Sequence, residues 1–208
     1  MIEEGTIRYS FSVKLCKVAD EHISKSKYPM QGQRITLRPA TLEDREVIYQ
    51  WLADSDITHL MLGPPDFPDS PVPTWEEFVN DYAEHYFNDK EPLKGRCFII
   101  EHERTPVGQV SYNEIFKDER TTELDIWLAG SHVTGKGYGS DALAALCDYL
   151  HRAFECARFI IAPSAKNVQA ILAYRKAGFN PTEDIPSWFV ADYEETLVMS
   201  KEIPAKTR

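Results

Sequence analysis

No uncharged apolar run in this 208-residue chain approaches the roughly 20 residues that a membrane-crossing helix needs, so a spanning protein is not expected. The chain opens Met1-Ile2-Glu3-Glu4, with no basic stretch leading into an apolar one. A secretory leader is therefore not expected, and a cytoplasmic location follows by elimination. Cysteine is scarce: Cys16, Cys97, Cys147 and Cys156 form no C-x-x-C pair and no metal spacing. Neither a disulfide framework nor a zinc site is expected, and the thiols read as reduced and packed. The six histidines show no metal spacing either.

Basic charge is also short, with 23 Lys/Arg against 33 Asp/Glu and a formal net charge of −10. The deficit is local. Residues 40–125 hold 20 acidic and 7 basic side chains, which leaves 13 acidic and 16 basic for the rest. Binding a phosphate backbone needs a basic footprint, so no nucleic-acid partner is expected. The asymmetry leaves room for a cationic substrate near the acidic half and a polyanionic cofactor near the other, although an acidic half would serve solubility equally well.

What the chain does contain is an ordinary globular composition, 43% apolar and 27% charged, in a length that suits one domain with an appendage. Ile7, Tyr9, Phe11, Val13 and Leu15 alternate with polar residues over 6–15, the pattern of a half-buried strand. Polar residues 20–33 read as a linker. This divides the chain into an N-terminal extension, 1–33, and a main domain, 34–208. The strand at 6–15 is expected to join the edge of the main sheet or a homodimer contact.

In the main domain, residues 34–38 alternate as a strand ended by Pro39, and Thr41-x-x-Asp44 resembles a capping box ahead of a helix through Val47, Ile48, Trp51 and Leu52. Five prolines between Gly63 and Pro73 forbid regular helix there. That loop is either a stiff lid bearing Phe67 or a plain connector. Thr74 reads as the N-cap of a second helix, with Glu76 and Glu77 in its first turn. Strand patterns at 96–102, 106–115 and 122–128 suggest an antiparallel meander. From Ser140 an apolar stripe through Leu143, Leu146, Leu150 and Phe154 predicts a helix. A strand at 158–162, a helix at 167–176 and a closing strand at 193–199 complete an α+β order.

Gly135, Gly137 and Gly139 stand between the strand ending near Leu128 and that helix. Such a turn lets backbone N–H groups approach a guest while the helix N-terminus favours an anion, so a diphosphate is the natural ligand. A tight turn with no guest would use the same glycines. Neither G-x-G-x-x-G nor G-x-x-x-x-G-K-[ST] is present, which argues against a dinucleotide fold or a P-loop.

The stretch Thr134-Gly135-Lys136-Gly137-Tyr138-Gly139 resembles the Q/R-x-x-G-x-G/A signature of the GNAT acetyltransferases, with Thr134 in place of the usual Gln or Arg. Roughly thirty residues on, the run from Asn167 to Phe179 resembles that family's N-x-x-A-x-x-x-Y-x-K-x-G-F helix. Within the family the pattern is similar to aminoglycoside 6'-N-acetyltransferases and RimJ/RimL-like enzymes. The resemblance implies a mixed, mostly antiparallel sheet flanked by helices and acetyl-CoA as cosubstrate. It also implies a cofactor site drawn from Trp127, Leu128, Val133, Thr134, Gly135, Lys136, Gly137, Tyr138, Gly139, Ser140 and Asn167. Asp125 would contact the acceptor amine, and Tyr174 would deliver a proton to the departing thiolate.

Strand alternation puts Glu123, Asp125 and Trp127 on one face and Leu124, Ile126 and Leu128 on the other. Two carboxylates and an indole suit a cleft for a protonated amine, and they also suit a solvated surface. Glu114 and Glu123 are reserve bases, and backbone N–H groups around residues 127–129 are candidates to polarise a thioester carbonyl. Tyr174 could instead be a packed aromatic, and Asn167 could be a simple helix cap. The expected activity is acetylation of a small cationic amine, aminoglycoside-like or polyamine-like. The alternatives are acetylation of a protein N-terminus and a non-catalytic acyl-CoA-binding module.

Overall fold

The computed structural model describes residues 29–204. Its elements run β1 (Met30–Gln31), β2 (Thr36–Pro39), α1 (Arg45–Ala53), α2 (Trp75–Asp81), β3 (Arg96–His102), β4 (Thr105–Tyr112) and β5 (Thr121–Leu128). They continue with α3 (Tyr138–Phe154), β6 (Arg158–Ile161), α4 (Val168–Lys176), β7 (Asn180–Pro181) and β8 (Met199–Glu202). The strands form one sheet in the order β1-β2-β3-β4-β5-β6-β8-β7. Every neighbouring pair is antiparallel except β5 and β6, which α3 joins in parallel. This is the mixed, mostly antiparallel α+β sheet expected from the sequence.

The sheet is buried on both faces, and strand alternation sends successive side chains to two different cores. Phe98 and Ile100 of β3 join one core with Leu143, Leu146 and Leu150 of α3. Cys97 and Ile99, one residue out of phase, join the other with Ile48 of α1 and Phe78 of α2. Each fully buried leucine on the α3 stripe contributes about 1.5–3 kcal/mol of transfer free energy. The helix starts are chemically marked. Thr41 N–H donates to the Asp44 carboxylate at 2.8 Å, and Thr74 N–H donates to that of Glu77 at 2.8 Å. Asp44 also receives both terminal nitrogens of Arg38 at 2.9 Å, tying β2 to the start of α1.

The structure departs from the sequence expectations at four places, the first being β4, which ends at Tyr112 and not at 115, where the chain turns away towards residue 116. The closing strand is Met199–Glu202, not 193–199. Residues 193–196 instead form a local turn in which the Thr196 hydroxyl donates to the Tyr193 carbonyl at 2.8 Å, a side-chain bond that competes with the ladder. Helix α3 begins at Tyr138, two residues before Ser140, because Gly137 takes the left-handed N-cap conformation at φ 85°. Met30 and Gln31, read as linker, pair with Leu37 and Thr36 at the sheet edge; a two-residue strand carries no periodicity to detect. The strand expected at 6–15, and the dimer contact built on it, lie outside the described residues.

Among the described residues no helix is long and apolar enough to cross a membrane, and no group of His, Cys, Asp or Glu is placed to hold a metal. Cys97, Cys147 and Cys156 are free and buried.

The first turn of α3 is anchored from a distance. The Asp141 carboxylate accepts the N–H groups of Gln33, Arg34 and Ile35 at 2.9, 2.7 and 3.2 Å, fixing the β1–β2 turn beside the glycine loop. Asp141→Ala leaves three amides without their acceptor and is expected to lower unfolding free energy by about 1–3 kcal/mol in urea titrations.

Candidate active site

Strands β5 and β6 pair for three residues, from Thr121–Arg158 to Glu123–Ile160, and then separate while β5 continues to Leu128. The gap opens into a cavity of about 640 Å³. Its floor is β5, and its sides are the glycine loop, the end of β6 and helix α4. Asp81 and Tyr82 at the end of α2, with Asp192 and Tyr193, close the far side.

At one end the glycine loop presents backbone donors. Gly135 and Gly137 adopt φ values of 71° and 85°, the left-handed region that glycine enters without strain. A Cβ at Gly135 would meet nothing within 4 Å. Among the described residues, the N–H groups of Gly135 through Ser140 have no protein acceptor; the next one, Asp141 N–H, closes the first helical bond to the Gly137 carbonyl. Six consecutive free donors at the start of a 17-residue helix form an anion cradle, which fits the diphosphate of coenzyme A.

The loop's side chains mostly serve other ends. Val133 and Tyr138 are buried in the α3 core, and Tyr138 packs on the His102 ring with centroids 4.6 Å apart. The Thr134 and Ser140 hydroxyls donate to the Ser131 and Gly137 carbonyls. The ligand-facing chemistry expected of Val133, Thr134, Tyr138 and Ser140 is therefore that of the backbone. Arg34, which was not anticipated, donates to the Lys136 carbonyl at 3.1 Å and brings a cation to the cradle in place of the long side chain missing at Thr134.

Along the floor, the backbone phase of β5 is fixed at both ends of its ladder with β4. Asn113 N–H donates to Glu123, and Ala129 N–H donates to Val107, both at 2.9 Å. With the continuous register between them, the odd-numbered residues form the hydrogen-bonded pairs, so the Trp127 and Ala129 amides are spent on β4. Even-numbered amides point into the gap. That of Ile126 is taken by the Asp125 carboxylate at 2.8 Å. Of the donors expected around 127–129, Leu128 N–H is the one directed at the cavity. The Trp127 side chain is 5% exposed and donates its indole N–H to the Ile48 carbonyl at 3.1 Å. Its cofactor role is thereby limited to lining the floor, because α1 and α2 cover the face on which it lies.

At the other end the cavity is acidic. Asp125 accepts from the Tyr82 hydroxyl at 2.9 Å, and Glu123 accepts from Asn113 Nδ2 at 3.2 Å. Burial pushes the Asp125 carboxyl up to about 6; the Tyr82 bond and the Ile126 amide hold it down, while Asp192 adds to the rise. Burial together with Asp125 pushes Glu123 up to about 7. Asp192 is raised by burial and then by Asp81. Glu114, the other reserve base, is exposed and lines a separate surface depression.

From α4, Tyr174 faces the same cavity, and burial followed by the Asp125 charge raises its phenol well above the usual range, so it remains protonated. Asn167 caps α4 through Oδ1, which accepts from Ala170 N–H at 3.0 Å, and its Nδ2 is left for a ligand. The proline loop contributes Asp69, Ser70, Pro71 and Pro73 to the rim. Phe67 is buried against Tyr193, ring centroids 5.5 Å apart, and acts as a brace for the Tyr193 segment. Sequence reasoning missed Tyr82 and the pair Asp192 and Tyr193, which come from two distant parts of the chain.

Two outcomes test this geometry. Gly139 has a helical backbone, and an added Cβ meets Ile126 Cδ1 at an ordinary 3.7 Å, so substitution there is compatible with the fold. In calorimetry Gly139→Glu should weaken coenzyme A binding by about tenfold or more through like-charge repulsion, with Gly139→Ala near wild type. Asp125, raised in the fold to about 6 from an ordinary 3.8, binds protons that the unfolded chain has released. It therefore costs stability as pH rises from about 4 to 6, and the cost persists above that. Asp125→Asn should raise the melting temperature more at pH 8 than at pH 4; an equal change at both would contradict the burial argument.

Known proteins align with this chain along most of its length. It is 28% identical over 174 residues to the ribosomal-protein-serine acetyltransferase of Escherichia coli (strain K12), covering 84% of this chain and 82% of that protein. It is 27% identical over 121 residues to the N-acetyltransferase p20 of Bacillus licheniformis, covering 56% of this chain and 62% of that protein's length. The fold superposes with a TM-score of 0.61, at 23% identity, on AAC(6')-Ib in complex with paromomycin and acetyl-CoA, covering 81% of this chain and 93% of that one. The Acetyltransferase (GNAT) domain family matches residues 34–180. That span is well over half of the sequence, and the chain accordingly belongs to the GNAT acetyltransferases, an acyltransferase family.

Proposed function

We propose that this protein moves an acetyl group from acetyl-CoA to a small, positively charged amine. The observation that carries the reading is the polarity of one continuous cavity: the glycine loop with its free backbone donors, braced from outside by Arg34, at one end, and Asp81, Glu123, Asp125 and Asp192 at the other. An anionic cofactor and a cationic acceptor would each meet the opposite charge and be brought together near Leu128 and Tyr174.

Bound acetyl-CoA would supply the activated acetyl thioester. Gly135 through Ser140 hold the diphosphate through their amides, and Asn167 Nδ2 donates to the pantetheine arm. Leu128 N–H donates to the thioester oxygen, where negative charge develops. Tyr174, kept protonated by its surroundings, gives its proton to the departing thiolate. Asp125 orients the acceptor ammonium.

Its raised pKa also eases proton removal. From an alkylammonium near 10.4 to a carboxylate near 6, the transfer is uphill by about four pH units, roughly 6 kcal/mol, against roughly 9 for an unperturbed aspartate. Glu123, beside it on β5, is the next acceptor for that proton.

A second reading, acetylation of a protein N-terminal serine, is favoured by the alignment with the Escherichia coli ribosomal-protein-serine acetyltransferase over 84% of this chain. Thiol release from acetyl-CoA in the presence of spermine, kanamycin or a serine-initiated peptide separates the readings. Turnover with spermine or kanamycin is expected. Turnover with the peptide alone would establish the second reading, and acetyl-CoA binding without thiol release from any acceptor would mark a non-catalytic acyl-CoA-binding protein. With an active amine, the rate should rise with pH through about 6–7 as Asp125 and Glu123 ionise.

A further inference from the structure

We propose that Tyr82 is a positioning residue for the transfer: its hydroxyl, held between Asp125 and Ser111, fixes the Asp125 carboxylate in the orientation that faces the cavity. The proposal rests on the acceptor-side role given to Asp125 above.

Both carboxylate oxygens of Asp125 have one fixed donor, Ile126 N–H on Oδ1 at 2.8 Å and the Tyr82 hydroxyl on Oδ2 at 2.9 Å. The first belongs to the backbone of β5 and is present whatever occupies position 82. The second is the side-chain restraint on the rotation of the carboxylate, added to that of the backbone. Tyr82 lies 3.2 Å from Ser111 Oγ as well. A phenol has one proton, and an ionised carboxylate can only accept, so that proton goes to Asp125 and Ser111 must donate to the Tyr82 oxygen. The result is a directed chain, Ser111 to Tyr82 to Asp125, built across the Ser111–Asp125 register pair of β4 and β5.

Tyr82 is itself held in place. Its ring stacks on Phe78 at 4.9 Å and meets Trp127 edge-on at 5.5 Å. It is the residue at which α2 ends, and Arg45 of α1 donates to the carbonyls of Val79 and Tyr82, the terminal acceptors that no helical turn would satisfy. Burial pushes the phenol of Tyr82 well up, so it stays a donor wherever Asp125 is ionised.

The groups facing Asp125 are Glu123 on β5, Ser111 on β4, Cys97 on β3, Asp81 and Tyr82 at the end of α2, Tyr86 in the short turn Glu84–Phe87, Tyr174 on α4, and Asp192 and Tyr193. Glu123 and Asp192 oppose its charge, and Asp81 opposes that of Asp192. Tyr82 is the side chain that favours it directly, so deleting that hydroxyl should move Asp125 towards its neutral form.

Carbon-13 NMR titration of the full-length protein tests this without any acceptor, reading the Asp125 carboxyl carbon, assigned by its loss in Asp125→Asn. Tyr82→Phe retains the aromatic stack and should raise the Asp125 midpoint by about one pH unit or more. Ser111→Ala should move it the same way by less. In acetyl transfer from acetyl-CoA to spermine, Tyr82→Phe should lower kcat about 10- to 100-fold with KM little changed. In an Asp125→Asn background the same change should add nothing.

An unmoved midpoint in Tyr82→Phe overturns the proposal, as does an additive loss in the double variant. If Tyr82→Phe fails to fold, an unmoved midpoint in Ser111→Ala has the same force. Should Asp125→Asn transfer acetyl as well as wild type, the catalytic reading of Asp125 falls instead, while the titration still decides whether Tyr82 holds that carboxylate.

Discussion

Everything functional in this fold depends on β5 leaving β6 after Glu123. A strand in the middle of a sheet normally spends its amides and carbonyls on both neighbours, leaving nothing for a ligand. Here β4 keeps its full ladder with β5 while β6 turns away, so one side of residues 124–128 is released. The separation makes a cleft in the interior of a sheet without exposing an outer edge. It also places the start of α3, the end of β6 and the start of α4 around a single void, because all three follow from the chain's need to cross from β5 to β6 and back.

That void has an electrical gradient along it. The anion end is built from groups whose partial charges are fixed by backbone geometry: the α3 N-terminus and the amides of Gly135–Ser140. Asp141 secures it from outside by holding the turn at residues 33–35, which carries Arg34 to the loop. The cation end is built from side chains whose charge depends on environment, and two of them, Asp125 and Glu123, sit high in the carboxylate range. Each has its own support across β4. Asp125 has Tyr82 and Ser111; Glu123 has Asn113, which in turn accepts from the Tyr86 hydroxyl at 2.8 Å.

The parts legible in the sequence are those whose chemistry is local in the chain. The glycine turn, the α4 run beginning at Asn167, the Thr41 capping box and the Thr74 N-cap each declare themselves within a dozen residues, and period-2 alternation correctly divides β5 into Leu124 and Trp127 faces. What alternation could not say is that both faces are covered. Trp127 reads as a cleft residue until α1 is seen lying over it. Tyr82 gave no signal because Phe78, Tyr82 and Tyr86 recur at helical spacing, the pattern of a packed aromatic stripe, and they do stack as one. The clue available was Ser111, a polar residue in an apolar strand on the face shared with Cys97 and Trp127. Tyr193 was hidden by reading 193–199 as strand, since Thr196 had to be recognised as a turn former, and Asp192 stood just outside that reading.

The two ends also differ in what they ask of stability. Free amides at a helix start are a normal cost of any helix and are satisfied by water when no ligand is bound, so the cradle adds little burden to the fold. Buried carboxylates that repel one another carry a standing penalty whenever they are ionised. The fold offsets that penalty locally, with hydroxyl and amide donors supplied by Tyr82, Ser111 and Asn113, and without a basic partner: no lysine or arginine is ion-paired to Asp125 or Glu123 among the described residues. A permanent salt bridge there would have stabilised the protein and neutralised the very charge that an incoming ammonium ion can meet. Neutral donors hold the carboxylates in place and leave their charge for the substrate.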